Sequence, residues 1–153
     1  MIEQFSLRRA VATDASAAHA LTRTAYSKWV PLIGREPKPM TADYERAISE
    51  HIIDLWEESG ELLAFIEMIP EVNSLLVENV AVRPDQQGRG IGKKLLHHAE
   101  QLALSLGFDS VQLYTNSAFE ANLQFYARLG YQEFQRVTIT GGSVAVHMRK
   151  RIN

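Results

Sequence analysis

The sequence predicts an α/β fold: a mixed, mostly antiparallel sheet of six or seven strands, with about four helices on its faces. Three observations lead there. Short alternating segments and longer segments of period three to four follow one another in the order β-α-α-β-β-β-α-β-α-β-β. The strand–helix–strand run over 74–115 contains a crossover, which makes its two strands parallel. The runs 51–69 and 131–151 each hold two strands about a short turn, which makes them antiparallel hairpins.

Phe5 to Val11 alternates and opens the chain as a strand. Thr13-Asp14 caps a helix running to about Trp29, with Ala17, Ala20, Leu21, Thr24 and Ala25 on its packed side. Pro31 ends it, and 32–40 is a loop of prolines and a glycine. Thr41 caps a second helix to about Glu50, with Asp43 in its first turn. His51 to Trp56 and Leu62 to Ile69 pair about a turn at 58–61. Residues 70–73 then turn the chain into the strand Ser74 to Val82. Ile91, Leu95, Leu96, Ala99, Leu102, Ala103 and Leu106 form one apolar stripe, so Gly88 to Leu106 is the third helix, stopped by Gly107. Asp109 to Thr115 is a strand. Ser117-Ala118-Phe119-Glu120 has the capping-box pattern and opens a helix that Gly130 closes. Tyr131 to Ile139 and Val144 to Arg151 are strands joined across Gly141-Gly142.

With 153 residues, 46% hydrophobic and 22% charged, the chain is expected to be one globular domain, 1–153, with a sizeable core. A formal net charge of -2 argues against a large basic surface for nucleic acid. The lack of cysteine excludes disulfides, thiolate metal sites and a thioester on the enzyme itself. His97 and His98 are adjacent on a helix rather than four apart, which argues against a shared zinc. No run approaches the ~20 apolar residues of a membrane span, and MIEQFSLRRA lacks the apolar centre of a signal peptide. The expectation is a soluble cytoplasmic protein with no metal.

The chemistry is expected where the strand 74–82 meets the third helix, at Gln87-Gly88-Arg89-Gly90-Ile91-Gly92. The first turn of a helix has N–H groups without partners, and its dipole makes that end partly positive. Glycines there leave room for a phosphate to reach those groups, with Arg89, Lys93 and Lys94 adding charge. The turn also reads as a tight strand-to-helix connection with solubilising lysines. The P-loop pattern fails because Lys94, not Ser or Thr, follows Gly92-Lys93, and the dinucleotide pattern fails because the glycines run G-x-G-x-G.

Gln87-x-x-Gly90-x-Gly92 after a strand resembles the acetyl-CoA-binding signature Q/R-x-x-G-x-G/A of the GNAT superfamily of N-acetyltransferases. The element order resembles the GNAT fold over nearly the whole chain. The resemblance implies an acyltransferase that passes an acetyl group from acetyl-CoA to a primary amine by direct attack. It puts CoA contacts on Gln87, Gly88, Arg89, Gly90, Ile91, Gly92 and Lys93. In the family two parallel strands splay where CoA inserts, so pantetheine is expected along the backbone of Val80, Ala81 and Val82. Glu78 or Asn79 marks the bulge that accompanies such a splay. Phe125-Tyr126-Ala127-Arg128-Leu129-Gly130-Tyr131 looks like the family's F/L-Y-x-x-x-G-F/Y segment, whose tyrosine protonates the leaving thiolate. That role falls on Tyr126. A thiol of pKa about 8.5 is a fair leaving group for a phenol of pKa about 10 to assist. Taken alone, Tyr126 reads as a core aromatic with a buried hydroxyl. Asn122, four residues earlier on the same face, either bonds the pantetheine amides or meets solvent.

An alkylamine of pKa ~10.4 is only about 0.1% neutral at pH 7, so a base or a proton-carrying water is needed. Glu78 interrupts an otherwise apolar strand and is the first candidate, its pKa raised if its setting is apolar. It also reads as an ion-paired or solvent-facing residue. Glu67 and His147 are weaker rivals. The family builds its acceptor pocket from the first two helices, the loop between them and the final hairpin, which maps onto Tyr26, Trp29, Arg35, Met40 and Tyr44. These residues grip an acidic or aromatic acceptor or simply pack. The acceptor is expected to be a small-molecule or peptide amine rather than a nucleic acid or membrane. An aminoacyl-tRNA acceptor is disfavoured by the net charge. Many relatives are homodimers through their last strands, and the same is expected here. The alternative function is a non-catalytic acyl-CoA-binding or sensor module of the same fold.

Overall fold

A computed structural model describes residues 5–152; residues 1–4, the start of the N-terminal stretch read above, and Asn153 lie outside it. Seven strands form one sheet: β1 (Phe5–Arg9), β2 (Ile52–Glu58), β3 (Glu61–Pro70), β4 (Leu75–Val82), β5 (Ser110–Asn116), β6 (Gln132–Thr138) and β7 (Val144–Arg151). Their order is β1-β2-β3-β4-β5-β7-β6. Only β4 and β5 are parallel.

The helices are α1 (Ala15–Tyr26), α2 (Val30–Ile33), α3 (Lys38–Thr41), α4 (Tyr44–Glu50), α5 (Ile91–Ser105) and α6 (Glu120–Arg128). Among the described residues four of them exceed a single turn: α1, α4, α5 and α6. Several predicted boundaries move, each for a local reason. The buried side of α1 is Ala15, Ala18, Leu21, Thr22 and Ala25; Ala17, Ala20 and Thr24 are exposed. Pro31 does not end a helix. It sits in the first turn of α2, where its missing N–H costs nothing. Thr41 does not cap α4, because its hydroxyl turns back to the Lys38 carbonyl (3.3 Å). Asp43 is the cap, accepting from the Arg46 N–H at 3.1 Å. The capping box at Ser117 does not form either. The Ser117 N–H bonds the Val144 carbonyl at 2.8 Å, Asn116 Oδ1 accepts from the Ala118 N–H at 2.9 Å, and α6 begins at Glu120.

Apolar residues of both sheet faces make two cores. Ala64, Ile66 and Met68 of β3 meet Leu95, Leu96 and Ala99 of α5 on one face. Phe65 of β3 and Ala81 of β4 meet Ala18 and Leu21 of α1 on the other. Burying a leucine contributes roughly 1.5–3 kcal/mol, so the α5 stripe anchors the helix whose N-terminus matters below. No described helix is long and apolar enough to cross a membrane.

Candidate active site

β4 changes both its partner and its phase in the middle. Against β3 the register runs Glu67 to Asn79 and then Met68 to Val77, so Glu78 is an extra residue, a bulge. Val77 therefore faces the α5 core and Ala81, past the bulge, the α1 core. Against β5 the parallel pairing covers only Leu75–Val111, Leu76–Gln112 and Val77–Leu113. β4 continues to Val82 and β5 to Asn116. The two strands thus part at the bulge, and the sheet opens there.

Polar side chains gather at the opening. The Tyr26 hydroxyl lies 2.5 Å from Asn79 Oδ1 and 2.9 Å from the Val80 carbonyl. Asn79 Nδ2 donates to the Tyr44 hydroxyl at 3.2 Å, and that hydroxyl donates to the Pro39 carbonyl at 2.6 Å. Burial pushes the Tyr26 phenol well above its ordinary pKa, with neighbouring Tyr126 and Tyr44 adding to it; burial likewise raises Tyr44. The Tyr114 hydroxyl donates to Glu78 Oε1, an oxygen that Lys38 Nζ also meets at 3.1 Å. Glu78 therefore sits among polar partners, not in the apolar setting expected of it.

The glycine turn follows β4. Gly88 and Gly90 have φ of 86° and 80°, the left-handed region that glycine enters without strain. Gly90 is the N-cap of α5 and offers no side chain to its N–H groups. The first bond of the helix is from the Lys94 N–H to the Gly90 carbonyl, 3.1 Å. The N–H groups of Ile91, Gly92 and Lys93 are those an α-helix leaves over at its start. The Ile91 side chain is in the core and Lys93 is exposed. Gln87 staples the turn to the strand, its Nε2 donating to the Val82 carbonyl at 3.3 Å. Lys28 Nζ approaches Gln87 Oε1 at 3.4 Å and stands over the Trp29 ring. Arg89 pairs with Glu58 (3.0 Å) and Gln86 (2.6 Å).

Tyr126 lies on α6 between Phe125 and Tyr131, with ring centroids 5.4 and 6.2 Å away. Burial pushes its phenol up to about 12. No hydrogen-bond partner holds its hydroxyl among the described residues. Asn122, one turn earlier, donates to Thr115 Oγ1 at 3.4 Å and so ties α6 to β5.

One cavity of about 960 Å³ runs along the opening, with Tyr126, Asn122, Tyr114, Glu78, Val80 and Tyr26 in its wall; the glycine turn lies outside that wall. Arg35 and Tyr44 of the predicted acceptor residues also line it. Met40 is buried in the interior, and Trp29 stacks on the cavity-lining Phe119 with centroids 4.3 Å apart. Arg35 reaches Ser143 Oγ at 3.0 Å, which links the α2–α3 loop to the last hairpin. Both rival bases, Glu67 and His147, line the same cavity. His147 stacks on Tyr114 at 5.4 Å. His51, Lys38 and Tyr114 were not singled out by the sequence. They arrive through cross-strand register and a loop, for which no local pattern speaks.

A strand pair thus splays beside an uncapped, glycine-led helix N-terminus. The profile described as the Acetyltransferase (GNAT) family matches residues 17–131, and the chain belongs to that family. It is 40% identical to N-alpha-acetyltransferase 80 of Mus musculus over 65 residues, a stretch that makes up 42% of this chain and only 19% of that protein. A solved GNAT-family chain from Desulfovibrio desulfuricans superposes with a TM-score of 0.81 at 16% identity, covering 98% of this chain and 100% of the other. The PaiA N-acetyltransferase of Thermoplasma acidophilum, solved with coenzyme A, superposes with a TM-score of 0.78 at 17% identity, covering 97% and 99%.

Proposed function

We propose that the chain is an N-acetyltransferase that moves an acetyl group from acetyl-CoA to a primary amine by direct attack. The observation that carries this is the opening of β4 from β5 beside the α5 N-terminus, with the Tyr126 hydroxyl unengaged in the wall of the same cavity.

The site fits the cosubstrate. Gly88 and Gly90 leave the turn open around the N–H groups of Ile91, Gly92 and Lys93, which suit a diphosphate. A Cβ added at Gly92 would stand 3.5 Å from the Phe125 ring, an ordinary contact, so neither backbone shape nor packing demands a glycine there. β4 beyond Val77 has no strand partner on the β5 side, which suits the amides of pantetheine. The Val80 and Val82 carbonyls already accept from Tyr26 and Gln87, and each keeps a second lone pair. Ala81 buries its side chain in the α1 core and turns its backbone to Phe65 of β3, which leaves the backbone of Val80 and Val82 to face the opening. Arg89, paired with Glu58, shapes the turn, and Lys28 is the added cation near it.

Bound acetyl-CoA supplies an activated acyl carbon and a thiolate leaving group. With its phenol at about 12, Tyr126 holds its proton at neutral pH and offers it where negative charge develops on sulfur. Tyr26, Asn79 and Tyr44 are locked to one another and hold the shape of the opening. Glu78, fixed by Lys38 and Tyr114 in the cavity wall, is one of the carboxylates able to receive the proton of an amine. The name of the mouse relative makes peptide α-amino groups the first acceptors to try, beside small-molecule amines.

The test is thiol release from acetyl-CoA with a panel of amines and peptides. Tyr126→Phe should lower kcat about 10²-fold while CoA affinity stays nearly unchanged. Wild-type turnover in that variant removes Tyr126 from the mechanism. Tight CoA binding with no release on any amine replaces the reading with that of a binding module.

A further inference from the structure

One cavity group has the construction of a base and no part in the mechanism so far. His51 follows α4, its N–H bonded to the Ala47 carbonyl at 2.8 Å, and it lines the cavity. Its Nδ1 lies 2.7 Å from Glu67 Oε2. Glu67 is only 5% exposed and stands opposite Asn79 in the β3–β4 register, at the level of the bulge where the sheet opens. A carboxylate on Nδ1 makes that nitrogen the N–H, so the lone pair is on Nε2. No described residue engages Nε2. The His51 side chain is 27% exposed, so it can receive a proton on the cavity side and lose it to water.

We propose that His51 is the general base for the amine and that Glu67 is its positioning residue. This rests on the acyl-transfer reading above. An N–H bond of the acceptor ammonium breaks, an Nε2–H bond forms, and the freed lone pair attacks the acyl carbon. The C–N bond forms as C–S breaks. Two protons leave the nitrogen in all: one goes to solvent by way of His51, and the other makes good the proton that Tyr126 gives to sulfur. Glu67 keeps Nδ1–H directed at itself and stabilises the imidazolium, a division of labour that carboxylate–histidine pairs provide on unrelated folds. The charged groups acting on this pair are Glu78 on β4 and Lys38 on α3, and Arg46 and Glu50 on α4 share its wall of the cavity. Glu78 is held by two partners and the ring of His147 meets no carboxylate among the described residues, so His51 is the cavity histidine that a buried carboxylate orients.

The experiment is kcat for thiol release against pH, with saturating acetyl-CoA and an amine that the wild type acetylates. It compares wild type, His51→Gln, Glu67→Gln, and His51→Ala with and without added imidazole. His51→Gln should lose about 10²-fold in kcat at pH 7, with unaltered CoA affinity. The deficit should shrink as pH rises, because more amine then arrives neutral. Imidazole should restore part of the His51→Ala rate, and Glu67→Gln should show a smaller deficit with the same pH signature. Wild-type kcat in His51→Gln overturns the assignment, as does a deficit that ignores both pH and imidazole. If His51→Gln does not fold, Glu67→Gln decides alone: a pH-independent rate loss there overturns the pair. A wild type that binds CoA yet acetylates no amine removes the acyl-transfer reading and this proposal with it, and is told apart from the other failures by the wild-type rate alone.

Discussion

Asp54 on β2 and Glu67 on β3 are both carboxylates only 5% exposed, and each meets a histidine nitrogen at 2.7 Å: His98 for Asp54, His51 for Glu67. Their company differs in one member. Asp54 stands opposite Arg9 in the β1–β2 register and also takes its Nε at 2.6 Å. Glu67 stands opposite Asn79, a neutral amide already given to two tyrosines. Burial alone would raise the Asp54 pKa, but the bonds from His98 and Arg9 outweigh it and hold the group below the usual carboxylate range. For Glu67 burial prevails over the His51 bond, and its pKa is raised. A cross-strand arginine thus separates a carboxylate held by two side chains from one that faces a histidine alone at the edge of a cavity.

The largest difference should appear in stability. Breaking a buried ion pair costs 3–5 kcal/mol when the partner is left buried, but Arg9 is 58% exposed and His98 32%, so Asp54→Ala should cost about 2 kcal/mol by urea unfolding. Glu67→Gln keeps the shape and a hydrogen-bonding group for His51, and should cost less than about 1 kcal/mol. Equal losses would erase the distinction between a fastener of the fold and a positioning residue.

The pH dependence is smaller and differs in sign. Asp54 has a lowered pKa, so its contribution is complete above the unfolded value of about 3.9 and is lost as pH falls through the lower folded value. Glu67 has a raised pKa, so the folded state favours its protonated form. Its contribution is complete below the unfolded value of about 4.3 and is lost as pH rises through the higher folded value. Unfolding of wild type, Asp54→Asn and Glu67→Gln between pH 3 and 7 should therefore give stability differences that slope in opposite directions. Parallel slopes would mean that the two carboxylates are held alike.

The same contrast explains what could be read from the sequence. The side proposed for the donor is mostly backbone, and backbone sites leave glycine spacing as their trace: Gly88 and Gly90 sit in the left-handed conformation at the head of α5. The bulge was readable as falling at Glu78 or Asn79, and the strand register puts it at Glu78. The side proposed for the acceptor is made of side chains brought together by register. Nothing near His51 in the sequence says that Glu67, sixteen residues on, lies across from it. Asp43 took the cap from Thr41, and Trp29 found Phe119, through packing that a single segment does not contain. Lys38 came to Glu78 from a short helix hidden in what read as loop.

Arg9 is the cause of the contrast, and its removal should undo it. Arg9→Gln leaves Asp54 with a histidine and burial only, the company that Glu67 keeps. The stability cost should be below about 1 kcal/mol, because the arginine is mostly exposed. The Asp54 carboxyl, followed by its carbon resonance, should titrate at higher pH than in the wild type. If it does not move, the arginine is not what separates the two carboxylates, and the His98 bond must hold Asp54 more firmly than the His51 bond holds Glu67. The place to look would then be the histidines. Each side chain is roughly a third exposed, but His98 is bound through Nε2 from the body of α5, whereas His51 is bound through Nδ1 at the open end of α4.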